Sequence, residues 1–261
     1  VFNDYATDTI VNMGDPRYNH FGNAMWGLGY GPTGTVSNFA WWRYYPMIRS
    51  CNQIIDIAGD DENLAKYRGI AKAYRAMFYL DLARMFEPME AYTPRIPNYN
   101  DELFNRDVLG MTVPYVDEKV YADNNAGGEL AENNPRLTRE EMFTRILADL
   151  DDAKVCLENY NRANGSEPNL AVIYGLYART YLWLGMDGKD DGLNGALPAG
   201  KAAMEKASEY ANLAIAAHGG YVMTEAEWTS VQNGFNTVVP SWMLSLIYSS
   251  DTVVSNLHNQ P

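Results

Sequence analysis

Apolar side chains recur at steps of three and four through five stretches of the chain, the spacing that gathers them on one face of a helix. In the first stretch Trp42, Tyr45, Ile48, Asn52 and Ile55 share a side, with Trp41 at its edge, and Pro46 within the pattern predicts either the true helix start or a kink. The second is the most regular: Leu64, Tyr67, Ala71, Tyr74, Phe78, Leu82 and Met85 follow Asp60 and Asp61, which suit N-caps, and Pro88 ends the run. Thr138 and Glu141 form a capping box that opens the third, whose face is Met142, Ile146, Leu150, Ala153 and Leu157. Pro168 suits the first turn of the fourth, which carries Ile173, Tyr174, Tyr177, Tyr181 and Leu184 to Gly185. The fifth runs from about Ala199 to Ala217, with Ala203, Ala207, Tyr210, Ala211 and Ala214 inward, and stops at Gly219-Gly220.

Between these stretches periodicity fails. Residues 1–39 are rich in Gly, Asn and aromatics and read as an ordered loop. Residues 87–136 form a long excursion of Pro, Asn and Gly, expected on the surface. After Tyr221 the pattern weakens, and Trp242 to Tyr248 reads as a short buried strand or helix. The expected organisation is an aromatic loop (1–39), a first helix pair (40–86), the excursion (87–136), helices three to five (137–220) and the start of a C-terminal part (221–261). The fold class is mainly α, an antiparallel helical array of tetratricopeptide type with long irregular loops.

Composition narrows the functions. With 20 basic and 33 acidic side chains the net charge is -13, which repels phosphate backbones and anionic head groups, so nucleic acid is excluded as a partner. Cys51 and Cys156 stand in separate helices and read as buried apolar side chains, without metal spacing. Asp187 to Gly192 resembles a calcium loop, but Lys189 stands where an oxygen ligand belongs, so a solvated turn is expected. His20, His218 and His258 are scattered. No metal or cofactor is expected. No apolar run is long enough to span a bilayer, and the start at Val1 lacks both an initiator Met and a signal peptide, so any export signal or anchor is expected upstream.

The remaining peculiarity is aromatic: 19 Tyr and 6 Trp. Such rings suit flat, amphipathic ligands, whose polar groups Asn and Arg can bond. The loop before Phe39 holds both kinds of group, and Trp26 and Tyr30 are the expected platforms, with Asn23 and Arg17 as polar partners. The competing reading packs those rings onto the helices. Trp41 and Trp42 cannot share a face, being about 100° apart; Trp42 is assigned to the core and Trp41 to ligand or loop contact. Tyr74, Tyr174, Tyr177 and Tyr181 are assigned to packing, and Tyr92, Tyr99 and Tyr115 are weaker contact candidates.

The second helix, Gly69-x-Ala71-x-x-x-Arg75-Ala76-x-x-Tyr79-x-x-Leu82-x-Arg84-x-Phe86, resembles the helix signature of the SusD/RagB family. It is joined in order by Trp42-x-x-Tyr45-x-x-Ile48-x-x-x-Asn52, by Arg136-x-Thr138-x-x-Glu141-x-Phe143-x-x-Ile146-x-x-Asp149-Leu150-x-x-Ala153, by Ala178-Arg179-x-Tyr181-Leu182, and by Ala207-x-x-Tyr210-Ala211-x-x-Ala214 with Gly220-Tyr221. Two features depart from the family pattern: Glu87-Pro88 stands where a Gly-rich corner into Val-Pro is usual, the nearest Val-Pro being Val113-Pro114, and the sequence stops at Pro261 where members continue into a less regular C-terminal part. The resemblance implies a non-catalytic glycan-binding lipoprotein on the outer membrane, facing the exterior. It further implies an N-terminal lipid anchor, delivery of oligosaccharide or polysaccharide to a SusC-like TonB-dependent transporter, and a longer C-terminal part. Two other functions compete. A tetratricopeptide-type interaction scaffold needs only the helical groove. A glycoside hydrolase needs two carboxylates across a cleft, and here the acids read as helix caps (Asp60, Asp61, Glu140, Glu141) and solvated faces (Asp149, Asp151, Asp152).

Overall fold

The structure is a computed structural model and describes residues 35–89, 109–186, 195–230 and 239–245. The chain divides into two compact units, 1–50 and 51–261. The described elements are α1 (Thr35–Ala58), α2 (Ala65–Phe86), β1 (Met111–Pro114), α3 (Glu118–Asn125), β2 (Arg136–Thr138), α4 (Arg139–Cys156), α5 (Leu170–Gly185), α6 (Gly200–His218) and the single turn α7 (Glu225–Trp228). A short 3₁₀ turn, Glu62–Leu64, precedes α2, and the Asp61 carboxylate caps it by accepting from the Asn63 N–H.

Successive contacts fix the helix directions. Gly69 at the start of α2 lies against Cys156 and Leu157 at the end of α4, Lys72 pairs with Asp152 and Arg75 with Asp149. Residue numbers rise on α2 as they fall on α4, so the two run antiparallel. The same holds for α4 and α5, where Tyr177 donates to Asp151 and Arg139 reaches the Trp183 carbonyl. It holds again for α5 and α6: Gly185 abuts Gly200 and Met204, while Tyr174 lies 6.1 Å from Tyr210. The result is the antiparallel helical array expected from periodicity.

Small residues let these helices approach. Ala71, Ala73, Ala76 and Ala83 of α2 are buried, and tyrosines pack between α5 and α6. There Tyr177 stacks on Tyr210 with centroids 4.5 Å apart and planes 14° apart, and Tyr181 lies 5.6 Å from the same ring. Their assignment to packing stands. The Thr138–Glu141 capping box closes in both directions, with the threonine oxygen accepting from the Glu141 N–H and the carboxylate accepting from the Thr138 N–H, an arrangement that stabilises a helix start by about 1 kcal/mol. At the far end of α6, Gly219 adopts φ 83°, a left-handed C-cap conformation that suits glycine.

Several sequence expectations are corrected. Helix α1 starts at Thr35, so residues 35–39 are helix rather than loop, and of the two readings of Pro46 the helix start falls away: it sits inside, with the Ser50 hydroxyl donating to the Pro46 carbonyl. Helix α5 starts at Leu170 behind an Asn169 cap, leaving Pro168 outside the first turn. Tyr67 and Met85 are exposed, because the buried face of α2 is centred on Arg75, Tyr79 and Leu82. In the described part of the excursion, 109–136, the stretch from α3 to Asn133 is largely exposed, but the start is not loop: β1 pairs antiparallel with β2 through Met111↔Thr138 and Pro114↔Arg136, and Thr112, Val113 and Tyr115 are buried. Its short apolar run hides among turn residues, which masks a two-stranded ladder in the sequence. Trp242 to Ser245 carry no strand; they turn against the loop after α4, with Ser245 N–H donating to the Gly165 carbonyl at 2.9 Å.

Candidate functional site

Two places in the described residues concentrate chemistry. One is a buried ionic node. The Arg75 guanidinium gives Asp149 two parallel hydrogen bonds, Nε to Oδ2 and Nη2 to Oδ1, each 2.7 Å. Its Nη1 donates to Asn52 Oδ1 at 2.8 Å and to Glu118 Oε2 at 2.6 Å. Tyr115 donates to Asp149 at 3.0 Å and stacks on Tyr79, whose hydroxyl accepts from the Val116 N–H at 2.7 Å. Burial opposes charge on Arg75, yet the Asp149 hydrogen bonds and charge hold its pKa above the ordinary arginine value. Burial and the neighbouring Asp149 anion push the Tyr115 phenol up.

A second buried pair repeats the device: Arg139 donates to Glu87 at 2.6 Å and to the Trp183 carbonyl at 2.7 Å, and the Trp183 indole N–H donates to the other Glu87 oxygen at 3.0 Å. Both buried carboxylates therefore face an arginine rather than a cleft. Each node ties the irregular 87–136 segment to the helices, a structural task. Asp149 corrects its reading as a solvated acid, and Tyr115 is removed from the ligand candidates because its ring and hydroxyl are both enclosed. No group of three or more metal-ligating side chains gathers among the described residues.

The other place is the exposed face of α1 within the first unit. Phe39, Trp42, Arg43 and Pro46 follow one another at helical spacing, one above the next. Trp42 is 70% exposed and Phe39 41%. The Arg43 guanidinium lies 5.1 Å from the Phe39 ring centroid and 5.5 Å from that of Trp42, within cation–π range. Pro46 has no N–H to offer the Trp42 carbonyl four residues back. The face thus combines flat rings with a cation.

Trp41, an expected contact residue, is 41% exposed and its ring lies 4.6 Å from Tyr45, tilted by 41°. Burial pushes the Tyr45 phenol up. The assignment of Trp42 to the core is overturned: at about 100° per residue it stands about 120° around the helix from the buried Ile48. Phe39 and Arg43 carry no site signal by residue type alone; the sequence clue to them is a face shared with Pro46, Arg49 and Ser50, too polar for a core stripe. Trp26, Tyr30, Asn23, Arg17, Tyr92, Tyr99 and the Asp187–Gly192 turn lie outside the described residues.

No family model matches the chain, and no curated protein matches it. Among solved structures it is similar to a SusD-like carbohydrate binding protein from Bacteroides vulgatus ATCC 8482, with a TM-score of 0.61 at 21% identity, over 93% of this chain and 42% of that one. The fold is SusD-like. The chain therefore spans less than half the length of that structure. Within the SusD-like array the recurrent residues of the second helix are interior: Gly69, Ala71, Arg75, Ala76, Tyr79 and Leu82 are all buried. The motif positions of the second helix are thus mostly packing residues, whereas Trp42, the first residue of the α1 motif, is exposed.

Proposed function

We propose that the chain is the N-terminal helical portion of a cell-surface protein that binds oligosaccharide or polysaccharide without transforming it. The observation that carries this reading is the SusD-like fold, matched over 93% of the chain to a protein named for carbohydrate binding. The exposed Phe39, Trp42 and Arg43 supply chemistry suited to a sugar, and the expected loop residues Trp26, Tyr30, Asn23 and Arg17, with Trp41, would extend it. In this reading an N-terminal lipid anchor upstream of Val1 holds the protein on the outer membrane, facing the exterior. A SusC-like TonB-dependent transporter receives the bound glycan.

The interaction-scaffold reading retains one observation, the exposed apolar side chains Leu182 on α5 and Met204 and Ile215 on α6, which a transporter or any other protein could cover. Titration calorimetry against starch, xylan, mannan, pectin and chondroitin panels tests glycan capture. Saturable binding to at least one without release of reducing sugar supports the proposal. Binding to none contradicts it, and release of reducing sugar would establish a hydrolase instead.

A further inference from the structure

The charge distribution around the exposed face of α1 is unlike that of the rest of the chain. Asp and Glu number 33 in 261 residues, yet the stretch from Pro16 to Ile55 contains neither, while it contains Arg17, Arg43 and Arg49. Residues of α1 from Thr35 to Ile55 are thus locally cationic in a protein of net charge -13. Arg17 lies outside the described residues; Arg43 and Arg49 are both exposed.

Their environments differ from those of the other described arginines. Arg75, Arg84, Arg139, Arg145 and Arg179 each face a carboxylate, and Arg68, Arg136 and Arg162 donate to backbone carbonyls. Among the described residues Arg43 and Arg49 have neither. Arg43 is instead held over the Phe39 and Trp42 rings. Resting on two rings limits the rotamers of the guanidinium while its N–H edge stays available, so less freedom is lost when an anion binds. Trp42 and Arg49 stand two turns apart on the same side, about 10 Å along the axis, so a second cation follows the ring platform along the helix.

From these placements we infer that the glycan taken by this face is anionic, a chain carrying uronate carboxylates or sulfate esters. This rests on the proposed carbohydrate-binding function and names its substrate class. The pyranose face lies on the Trp42 ring, and a carboxylate or sulfate accepts two N–H bonds from the Arg43 guanidinium, a geometry that favours arginine over lysine. Arg49 meets a charge further along the same chain. The overall negative charge opposes approach only weakly, since the field of distant acids decays over about 8 Å at physiological ionic strength and no acid lies in the local stretch.

Matched pairs of probes test the inference with the full chain: oligogalacturonate against its methyl ester, and chondroitin sulfate against its desulfated, carboxyl-methylated form. Each pair keeps the sugar rings and removes the charge. The charged member of at least one pair is expected to bind at least about tenfold more tightly, and which pair responds distinguishes carboxylate from sulfate. Arg43→Gln should abolish that preference by lowering the affinity for the charged member to that for the neutral one, and Trp42→Ala should weaken both members. Raising ionic strength from about 0.05 to about 0.5 M should weaken only the charged probe. Equal affinity for charged and neutral members, or saturable binding of a neutral polysaccharide with no binding of either charged probe, overturns the anionic inference while leaving glycan capture intact. Binding of no glycan at all removes the proposed function and this inference together.

Discussion

Arg75 of α2 and Asp149 of α4 share two parallel hydrogen bonds of 2.7 Å inside the protein, with the arginine side chain 3% and the aspartate side chain 6% exposed. The pair joins the two helices at mid-length and, through Asn52, Glu118 and Tyr115, ties the last turns of α1, the start of α3 and the residue after β1 to them.

Removing one partner leaves a buried charge unanswered. Arg75→Met or Asp149→Asn is expected to lower stability by about 3–5 kcal/mol, whereas Arg75→Met with Asp149→Leu together should cost less than the two single changes added. Urea unfolding of the three variants reads this directly. A loss under about 1 kcal/mol for either single variant would show that the node is not the keystone described.

Stability should fall on both sides of neutrality. Burial works against the Glu118 anion, but the Arg75 hydrogen bond and charge lower its pKa in the folded state. Its contribution is therefore complete above about pH 4.3 and is lost as pH falls through the lowered value. On the alkaline side burial, joined by Asp149, raises Tyr115, and burial with the Asp151 hydrogen bond raises Tyr177. The unfolded phenols ionise near pH 10 and the folded ones do not, so stability declines from about pH 9 upward. Urea midpoints measured across pH should form a plateau between these limits.

Cys51 and Cys156 should separate by reactivity. Burial pushes the Cys51 thiol up to about 12, and it packs with Ile55 and Ala71 against Tyr74 and Phe78. Cys156 is half-buried. At pH 8 a thiol reagent should label Cys156 in the native protein and reach Cys51 only after denaturant is added. Equal labelling rates would contradict the packing of α1 on α2.

Two glycines should respond to alanine with opposite signs. A Cβ on Gly69 would stand 2.6 Å from Cys156 Cβ and 2.9 Å from Leu157 Cγ, so Gly69→Ala is expected to destabilise by about 1–3 kcal/mol as α2 and α4 are forced apart. A Cβ on Gly175 in α5 meets nothing nearer than Met243 Cε at 4.0 Å, and Gly175→Ala should stabilise by about 0.5–1 kcal/mol through helix propensity. Thermal melts of the two variants compare the signs.

The scaffold was largely legible in the sequence because its signals are local. The Thr138–Glu141 box and the inward faces of α4, α5 and α6 can be read from spacing, and all are present. The Arg75–Asp149 node was visible only as two letters of a motif, since nothing in sequence order tells a solvated aspartate from one enclosed 74 residues away. The β1–β2 ladder escaped for the same reason: its pairing is long-range and its strands are four and three residues long. At the candidate site the choice between Trp41 and Trp42 turned on one helical step. Spacing alone puts Trp42 on the apolar stripe, but its neighbours on the exposed face, Arg43 and Pro46, are polar or exposed.

The central claim, that the ring face of α1 binds glycan, is tested most directly by titration calorimetry of the native chain and the Trp42→Ala variant with whichever glycan the panel identifies. The variant should keep its thermal melt, since Trp42 is 70% exposed, and should lose at least about tenfold in affinity, about 1.4 kcal/mol. Unchanged affinity with an unchanged melt would place the binding site elsewhere and contradict the account.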